Sequence, residues 1–298
     1  IPPHQESPVA FRSSLKIYDL PNIGTSGDSA WMESMLSTAP FEATFFLEDF
    51  QPSEQGEADL PLAASRILTL FQLEKWKIET KASVKRESLG EEIQVGGELF
   101  ITGASGVYRG FPYPLHEISA NIKFNNDDIT IEYLSALGSN GAAVHINGTV
   151  QAAGDSLVVR IDINAPEAPL DKELHDALPE SIATVMDKML DESALAKMSA
   201  VLDASELEDF SLGGTVELNL EVFHDSKVDD SVEVTGEIAF ENVGVVHEAF
   251  SYPVTLKYGR GLLEESGIYI PNGEMIRFEG SGGGEGKMIG SILFEENG

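Results

Sequence analysis

One stretch of this chain is written twice. Gly97-Glu98-Leu99-Phe100 precedes Phe111-Pro112-Tyr113-Pro114-Leu115, and Gly236-Glu237-Ile238-Ala239 precedes Phe250-Ser251-Tyr252-Pro253-Val254, both matches at one offset of 139 residues. An alternating run follows each Phe-x-Tyr-Pro, then an apolar strand ending in glycine. That strand reads Val144-His145-Ile146-Asn147-Gly148 in the first copy and Ile276-Arg277-Phe278-Glu279-Gly280 in the second, which is about seven residues shorter between these landmarks. Repeated strand-rich units predict an extended or stacked architecture in which each unit covers its neighbour's apolar face. Such a design offers a surface or groove more readily than a catalytic pocket.

The 298 residues are 42% apolar, enough for a substantial core in one large domain or two. With 19 basic against 50 acidic residues the formal net charge is −31, a field that repels phosphate backbones and anionic headgroups. Nucleic acid is therefore not an expected partner. The charge suits solubility in a salt-rich medium first and cation binding second. The chain has no cysteine, which excludes disulfides, thiol catalysis and thiolate-held metals. No run reaches the roughly 20 apolar residues of a membrane span. The start Ile1-Pro2-Pro3-His4 and the strand-like Ser291-Ile292-Leu293-Phe294 give the expectation of a segment from a longer protein.

Residues 1–90 read as an irregular leader with a short helix and the first strands. Trp31, Met32, Met35 and Leu36 follow helical spacing after Asp28, Gln51 to Asp59 is a polar loop, and Leu60 to Leu73 is ambiguous. From Trp76 the pattern alternates through Ile78, Thr80, Ala82 and Val84, a strand with one face buried. Alternation continues through Ile118-Ala120-Ile122-Phe124, Ile129-Ile131-Tyr133, Val144-Ile146 and Leu157-Val159-Ile161-Ile163. Asn125 to Asp128, Asn140-Gly141, Asn147-Gly148 and Gly154-Asp155 suit the hairpin turns between them. Leu174, Leu178, Ile182, Val185, Met186, Met189 and Leu190 fall at helical spacing, with Asp171 as N-cap, Pro179 dividing the run, and a third helix over Ala194 to Leu202. The fold expected is mostly β (α+β): a curved antiparallel sheet of two related β units, 91–168 and 204–298, with a helical insert at 169–203.

The run Phe111 to Ile118, the alternating strand and Val144 to Gly148, followed by Pro169-Leu170-Asp171-Lys172-Glu173-Leu174 and Ala177-Leu178-Pro179, is similar to a unit of bacterial AsmA-like proteins. Those proteins are related to TamB and to bridge-like lipid-transfer proteins. The resemblance covers roughly residues 90–290. It implies a periplasmic, cell-envelope β groove that shields lipid acyl chains for intermembrane transport, or that supports outer-membrane assembly. It also implies a membrane anchor outside this stretch, other segments of the same longer protein as partners, phospholipid as ligand, and no catalytic residue. The acidic balance departs from what a headgroup contact leads one to expect.

On that reading the lipid-facing residues form one alternation phase: Ile118, Ile122, Phe124, Ile129, Ile131, Val144 and Ile146. Exposing such a face is costly unless something covers it, and the helical insert is the alternative cover. Phe111, Tyr113, Phe250 and Tyr252 line a ligand opening or, as the prolines favour, staple the corner of each repeat. The loop Gly280 to Lys287 lacks the spacing of a phosphate-binding loop and reads as a turn. Asn125 to Asp128, and Asp225, Asp229 and Asp230 near His224, lack EF-hand spacing. No histidine pair has zinc spacing and there is no Gly-x-Ser-x-Gly elbow, so no cofactor, metal or enzymatic activity is expected. Asn147-Gly148-Thr149 reads as a turn before a glycosylation site. Lys75, Lys77, Lys81, Lys85 and Arg86 decorate the wet face of a strand or dock an acidic partner. A cell-surface structural or adhesion module with calcium-binding acidic turns is the competing class.

Overall fold

The computed structural model describes residues 10–18, 39–50, 72–74, 76–88, 91–109, 111–153, 156–202, 206–227, 232–247, 250–264 and 267–293. The helix expected at Trp31 to Leu36, the loop at Gln51 to Asp59 and most of Leu60 to Leu73 lie outside them. One antiparallel sheet dominates, as the alternation predicts. Its strands are β1 (Ala10–Ile17), β2 (Phe41–Phe50), β3 (Lys77–Arg86), β4 (Gln94–Tyr108), β5 (Phe111–Phe124), β6 (Asp128–Leu137), β7 (Ala143–Ala153), β8 (Ser156–Pro169) and β9 (Thr215–Asp225). It continues through β10 (Glu233–Phe240), β11 (Val243–His247), β12 (Phe250–Glu264), β13 (Gly267–Tyr269), β14 (Ile276–Gly280), β15 (Glu285–Met288) and β16 (Ser291–Leu293). Sequential neighbours pair from β1 to β10. The main path then runs β10-β12-β13-β16, with β11 and β14 branching from the long β12 and β15 pairing with β14. The sheet does not close.

Its inner face is one alternation phase carried from strand to strand by register. Ile78 pairs with Ile101, Leu99 with Ile122, and Ile163 with Leu220. These side chains are buried in one continuous core from Trp76 to Ile276. Bulges keep the phase pointing inward along strands too long for an unbroken pleat. In β5 the apolar positions switch from odd (Phe111, Tyr113, Leu115) to even (Ile118, Ala120, Ile122) across Glu117, whose φ is +51°. In β4 the switch from Ile101 to Ala104 occurs at Gly103, φ +66°. Bulges of this kind increase local twist and bend the strand. The same face opens at the β1–β2 end, where Phe11 and Leu15 are 61% and 60% exposed.

The duplication is a duplication of register. Gly97 pairs with Phe124 and Gly236 with Leu263, and both members of the second pair lie 139 residues after the first. Tyr108 pairs with Phe111 as His247 does with Phe250. One correction follows for the third strand. Ile276 to Gly280 is the counterpart of Leu134 to Gly138 at the end of β6, not of Val144 to Gly148 in β7: Leu137 pairs with Ala143 as Glu279 pairs with Glu285. The second unit thus repeats β4-β5-β6-β7 as β10/β11, β12, β13/β14 and β15/β16. Both glycine turns match as well. Gly138 N donates to Ala142 O at 2.7 Å and Gly280 N to Gly284 O at 2.7 Å, around Gly141 (φ +77°) and Gly283 (φ +85°). Asn147-Gly148 is not a turn, as its sequence suggested. It lies inside β7, where the missing side chain of Gly148 admits the backbone of β8 at Arg160 and Ile161.

Three helices follow β8: α1 (Lys172–Ala177), α2 (Glu180–Met189) and α3 (Glu192–Ser199). Asp171 caps α1, accepting from Leu174 N at 3.0 Å, and Pro179 begins α2 where the missing N–H is not needed. Asp191 caps α3 through Ser193 N and Ala194 N at 2.8 and 2.9 Å. Asp191 N also donates to Val246 O at 3.2 Å, fastening the insert to β11.

Candidate functional site

The helices lie over the inner face of the second β unit without filling the space beneath them. A cavity of about 150 Å3 remains. Leu174 and Leu178 reach it from the α1 side, and Ile182, Val185, Met186 and Met189 project from α2 at the spacing of one helical face. From the sheet it is walled by Leu218 and Leu220 of β9, Ile238 and Phe240 of β10, Leu256 and Leu263 of β12, and Ile276 of β14. Among the residues lining it, Ser291 alone carries a hydroxyl and none is titratable. An apolar cavity of this size stays dry and takes a small apolar molecule. Methionines in the wall (Met186, Met189 and Met288) adapt to irregular occupants.

On its inner face the second unit differs from the first at two positions of β12. Ala120 and Ile122 point inward from β5; their counterparts in β12 are Gly259 and Gly261. Ile268 and Ile276 bend into the vacated positions, so that a Cβ at Gly261 meets Ile268 Cγ2 at 2.6 Å and one at Gly259 meets Ile276 Cγ1 at 2.6 Å. A second, smaller gap of about 20 Å3 shares Leu174, Leu218 and Leu220 with the cavity and is lined from the first unit by Tyr108, Phe111, Tyr113, Val144 and Ile146. Burial pushes the Tyr108 hydroxyl up to about 12, so it stays neutral and serves as wall.

The seven sequence-predicted lipid-facing residues share the inner face. Ile118 and Ile122 are 1% exposed; Ile129, Ile131, Val144 and Ile146 are also buried, and Phe124 is half-buried. They belong to the chain's own core, and none lines the cavity beneath the helices. Four of their second-unit counterparts, Leu263, Ile268, Ile270 and Met288, do line it. The signal for it was the apolar face of the insert.

Of the repeat-corner aromatics, Phe111, Tyr113 and Tyr252 are engaged by the fold. Tyr113 OH accepts from Ser139 N at 3.0 Å, and Tyr252 OH from Gly282 N at 2.7 Å. The Phe111 and Tyr113 rings lie 6.2 Å apart, and Phe250 pairs with His247 in the backbone ladder. Pro112 and Pro114 fall beyond the last β5–β6 pair, His116 with Leu137, where a missing donor costs little. Ser139 Oγ in turn donates to Asp171, linking the first-unit corner to the cap of α1.

The other candidate groups are engaged by the fold. Asn125 Oδ1 accepts from Asp127 N and Asp128 N at 2.9 and 2.8 Å, and Asn126 Nδ2 donates to Ile93 O at 2.9 Å. Asp225 accepts from Lys227 N at 2.9 Å; Asp229 and Asp230 lie outside the described residues. Among the described residues no group of three or more His, Asp or Glu is placed to hold a metal ion. The basic cluster divides. Lys85 pairs with Glu87 at 2.7 Å and Lys81 lies 5.9 Å from the Phe46 ring centroid, whereas Arg86 turns inward. Arg86 is 8% exposed, donating to Ala39 O at 3.3 Å and Glu91 O at 3.1 Å, so it is not on the wet face. His175 joins α1 to α2: Nδ1 is 3.1 Å from Asp176 and Nε2 3.1 Å from Asp187, the latter off the line of a good hydrogen bond. Bonding to Asp176, then Asp187, raises its pKa above the ordinary 6.5.

No helix among the described residues is long and apolar enough to cross a membrane. No protein-family model, curated protein or solved structure matches the chain.

Proposed function

We propose that this chain is a non-catalytic, lipid-handling segment of an AsmA-like cell-envelope protein, and that the cavity beneath the helical insert receives the end of a phospholipid acyl chain. The observation that carries this reading is the cavity: apolar but for the Ser291 hydroxyl, lacking any titratable group, and lying on an inner face that runs through both β units. Seating about five methylenes there gains roughly 4 kcal/mol at ~0.8 kcal/mol each, with no directional chemistry required. The wall holds no histidine, carboxylate or amine that could activate the Ser291 hydroxyl, so it supports binding rather than turnover. The periplasm, partnership with other segments of a longer protein, and a role in lipid transport or outer-membrane assembly belong to the same proposal and rest on the sequence resemblance.

The test is native mass spectrometry of protein purified without detergent, with organic extraction of the same sample. Bound phospholipid at up to one per chain is expected, and Val185→Phe with Met189→Phe, which fill the cavity, should abolish it. A bare-chain mass for the unsubstituted protein, after incubation with phospholipid vesicles, would sink the reading.

A further inference from the structure

β15 and β16 stand where β7 stands in the first unit: Thr130 pairs with Thr149 as Tyr269 pairs with Ser291, and Leu137 with Ala143 as Glu279 with Glu285. The far edge of β7 is covered by β8 through an unbroken ladder from His145–Asn164 to Ala153–Ser156. Among the described residues nothing covers the far edge of β15 and β16. Alternation identifies the groups that edge presents. Ile270 N donates to Gly290 O at 2.9 Å, so residues 270 and 290 form a hydrogen-bonded pair, as do Ile268 and Ile292 two positions along. Ser291 and Leu293 therefore turn their backbone N–H and C=O groups away from β13. Such a row is a template for another strand, and Ile289 beside it is 75% exposed.

We infer that this edge binds an extended polypeptide partner by antiparallel strand addition, and that the partner resembles β8, apolar at alternate inward positions as Val159, Ile161 and Ile163 are. The register follows from the repeat: Thr149 pairs with Arg160, so Ser291 faces the residue that takes the place of Arg160. Main-chain hydrogen bonds supply affinity and the alternating side chains supply specificity. A second copy of this chain is the poorer occupant, because a net charge of −31 opposes self-association. The inference stands apart from the lipid reading, since it rests on the ladder and not on the cavity.

A fluorescently labelled peptide with the sequence of Ser156 to Pro169, titrated into the full chain, tests it by anisotropy and amide hydrogen exchange. Saturable binding is expected, with slowed exchange over residues 285–293. Ser291→Pro removes one outward N–H and leaves the β13 pairing intact, so it should weaken binding at least tenfold at unchanged circular dichroism. A peptide carrying Val159→Asp, Ile161→Asp and Ile163→Asp should lose at least as much, and it decides the matter should the proline variant misfold. Absence of saturable binding, or binding and protection indifferent to both changes, overturns the inference. So does a dimer in sedimentation that Ser291→Pro dissolves, since the edge would then belong to a second copy.

Discussion

Tyr113 and Tyr252 stand 139 residues apart in the chain and at the same place in the two β units. Each ring lies against the glycine that ends its strand, Gly138 or Gly280. Each hydroxyl accepts a backbone N–H of the turn that follows, from Ser139 at 3.0 Å and from Gly282 at 2.7 Å. The pair explains why Phe-x-Tyr-Pro recurs while Pro112 gives way to Ser251: the aromatic pin is needed, and the first proline is not.

Phenylalanine at either position keeps the ring and deletes the acceptor. Ser139 N is partly buried, so Tyr113→Phe leaves a donor unpaired and should cost roughly 1–2 kcal/mol. Gly282 N is exposed and water replaces the lost partner, so Tyr252→Phe should cost about 0.5 kcal/mol. Urea unfolding of the two singles and the double measures both, and the losses should add because the corners share no partner. Equal losses would show that the corners are not distinguished by burial.

Much of the fold was legible because alternation and turn chemistry are local. Trp76 to Lys85, the helices with their Asp171 and Pro179 boundaries, and the turns at Asn125 and Asn140 all read directly. The third strand of the repeat did not. Ile276 to Gly280 resembles both Leu134 to Gly138 and Val144 to Gly148, and only pairing with β12 and β15 separates them. The strands Ala10–Ile17 and Phe41–Phe50 were hidden for another reason. β1 is exposed from Phe11 to Lys16 and so carries little burial contrast, and Phe45-Phe46-Leu47 in β2 interrupts any alternation. The candidate site escaped because it lies between elements. The inner phase of β5 advertises Ile118 and Ile122, whereas the cavity is walled by the helical insert and by the inner face of the second unit.

His175 makes the attachment of α1 to α2 depend on pH. Asp176 and Asp187 face it; Lys172, paired with Asp176, and Glu173 are the other charged groups nearby. Its folded pKa is raised, so the stabilisation is complete below the ordinary 6.5 and fades as pH rises through the folded value. Exchange of the α2 amides should therefore quicken from pH 6 to pH 8 after correction for the intrinsic pH dependence. His175→Gln should flatten that profile; an unchanged profile would remove the histidine from the account.

Asp171 caps α1 through Leu174 N and accepts from Ser139 Oγ in the β6–β7 turn. Asp171→Ala removes both and should cost about 1–2 kcal/mol. Asp171→Asn retains a capping oxygen and should cost less than half as much. Because Ser139 also serves Tyr113, Asp171→Ala and Tyr113→Phe should not be additive, and their double-mutant cycle reads the coupling directly.

Gly261→Ala tests whether Ile268 occupies the space that a side chain would take there. The added Cβ meets Ile268 Cγ2 at 2.6 Å, a methyl on the branched Cβ that cannot swing aside freely, so overpacking should cost about 1–3 kcal/mol. Ile268→Ala alone should also destabilise, by enlarging the hollow. Together the two changes should cost less than their sum, because the new methyl occupies space that Ile268 has left. Calorimetry of the four proteins measures this coupling. Additive losses would mean that Gly261 and Ile268 do not exchange volume.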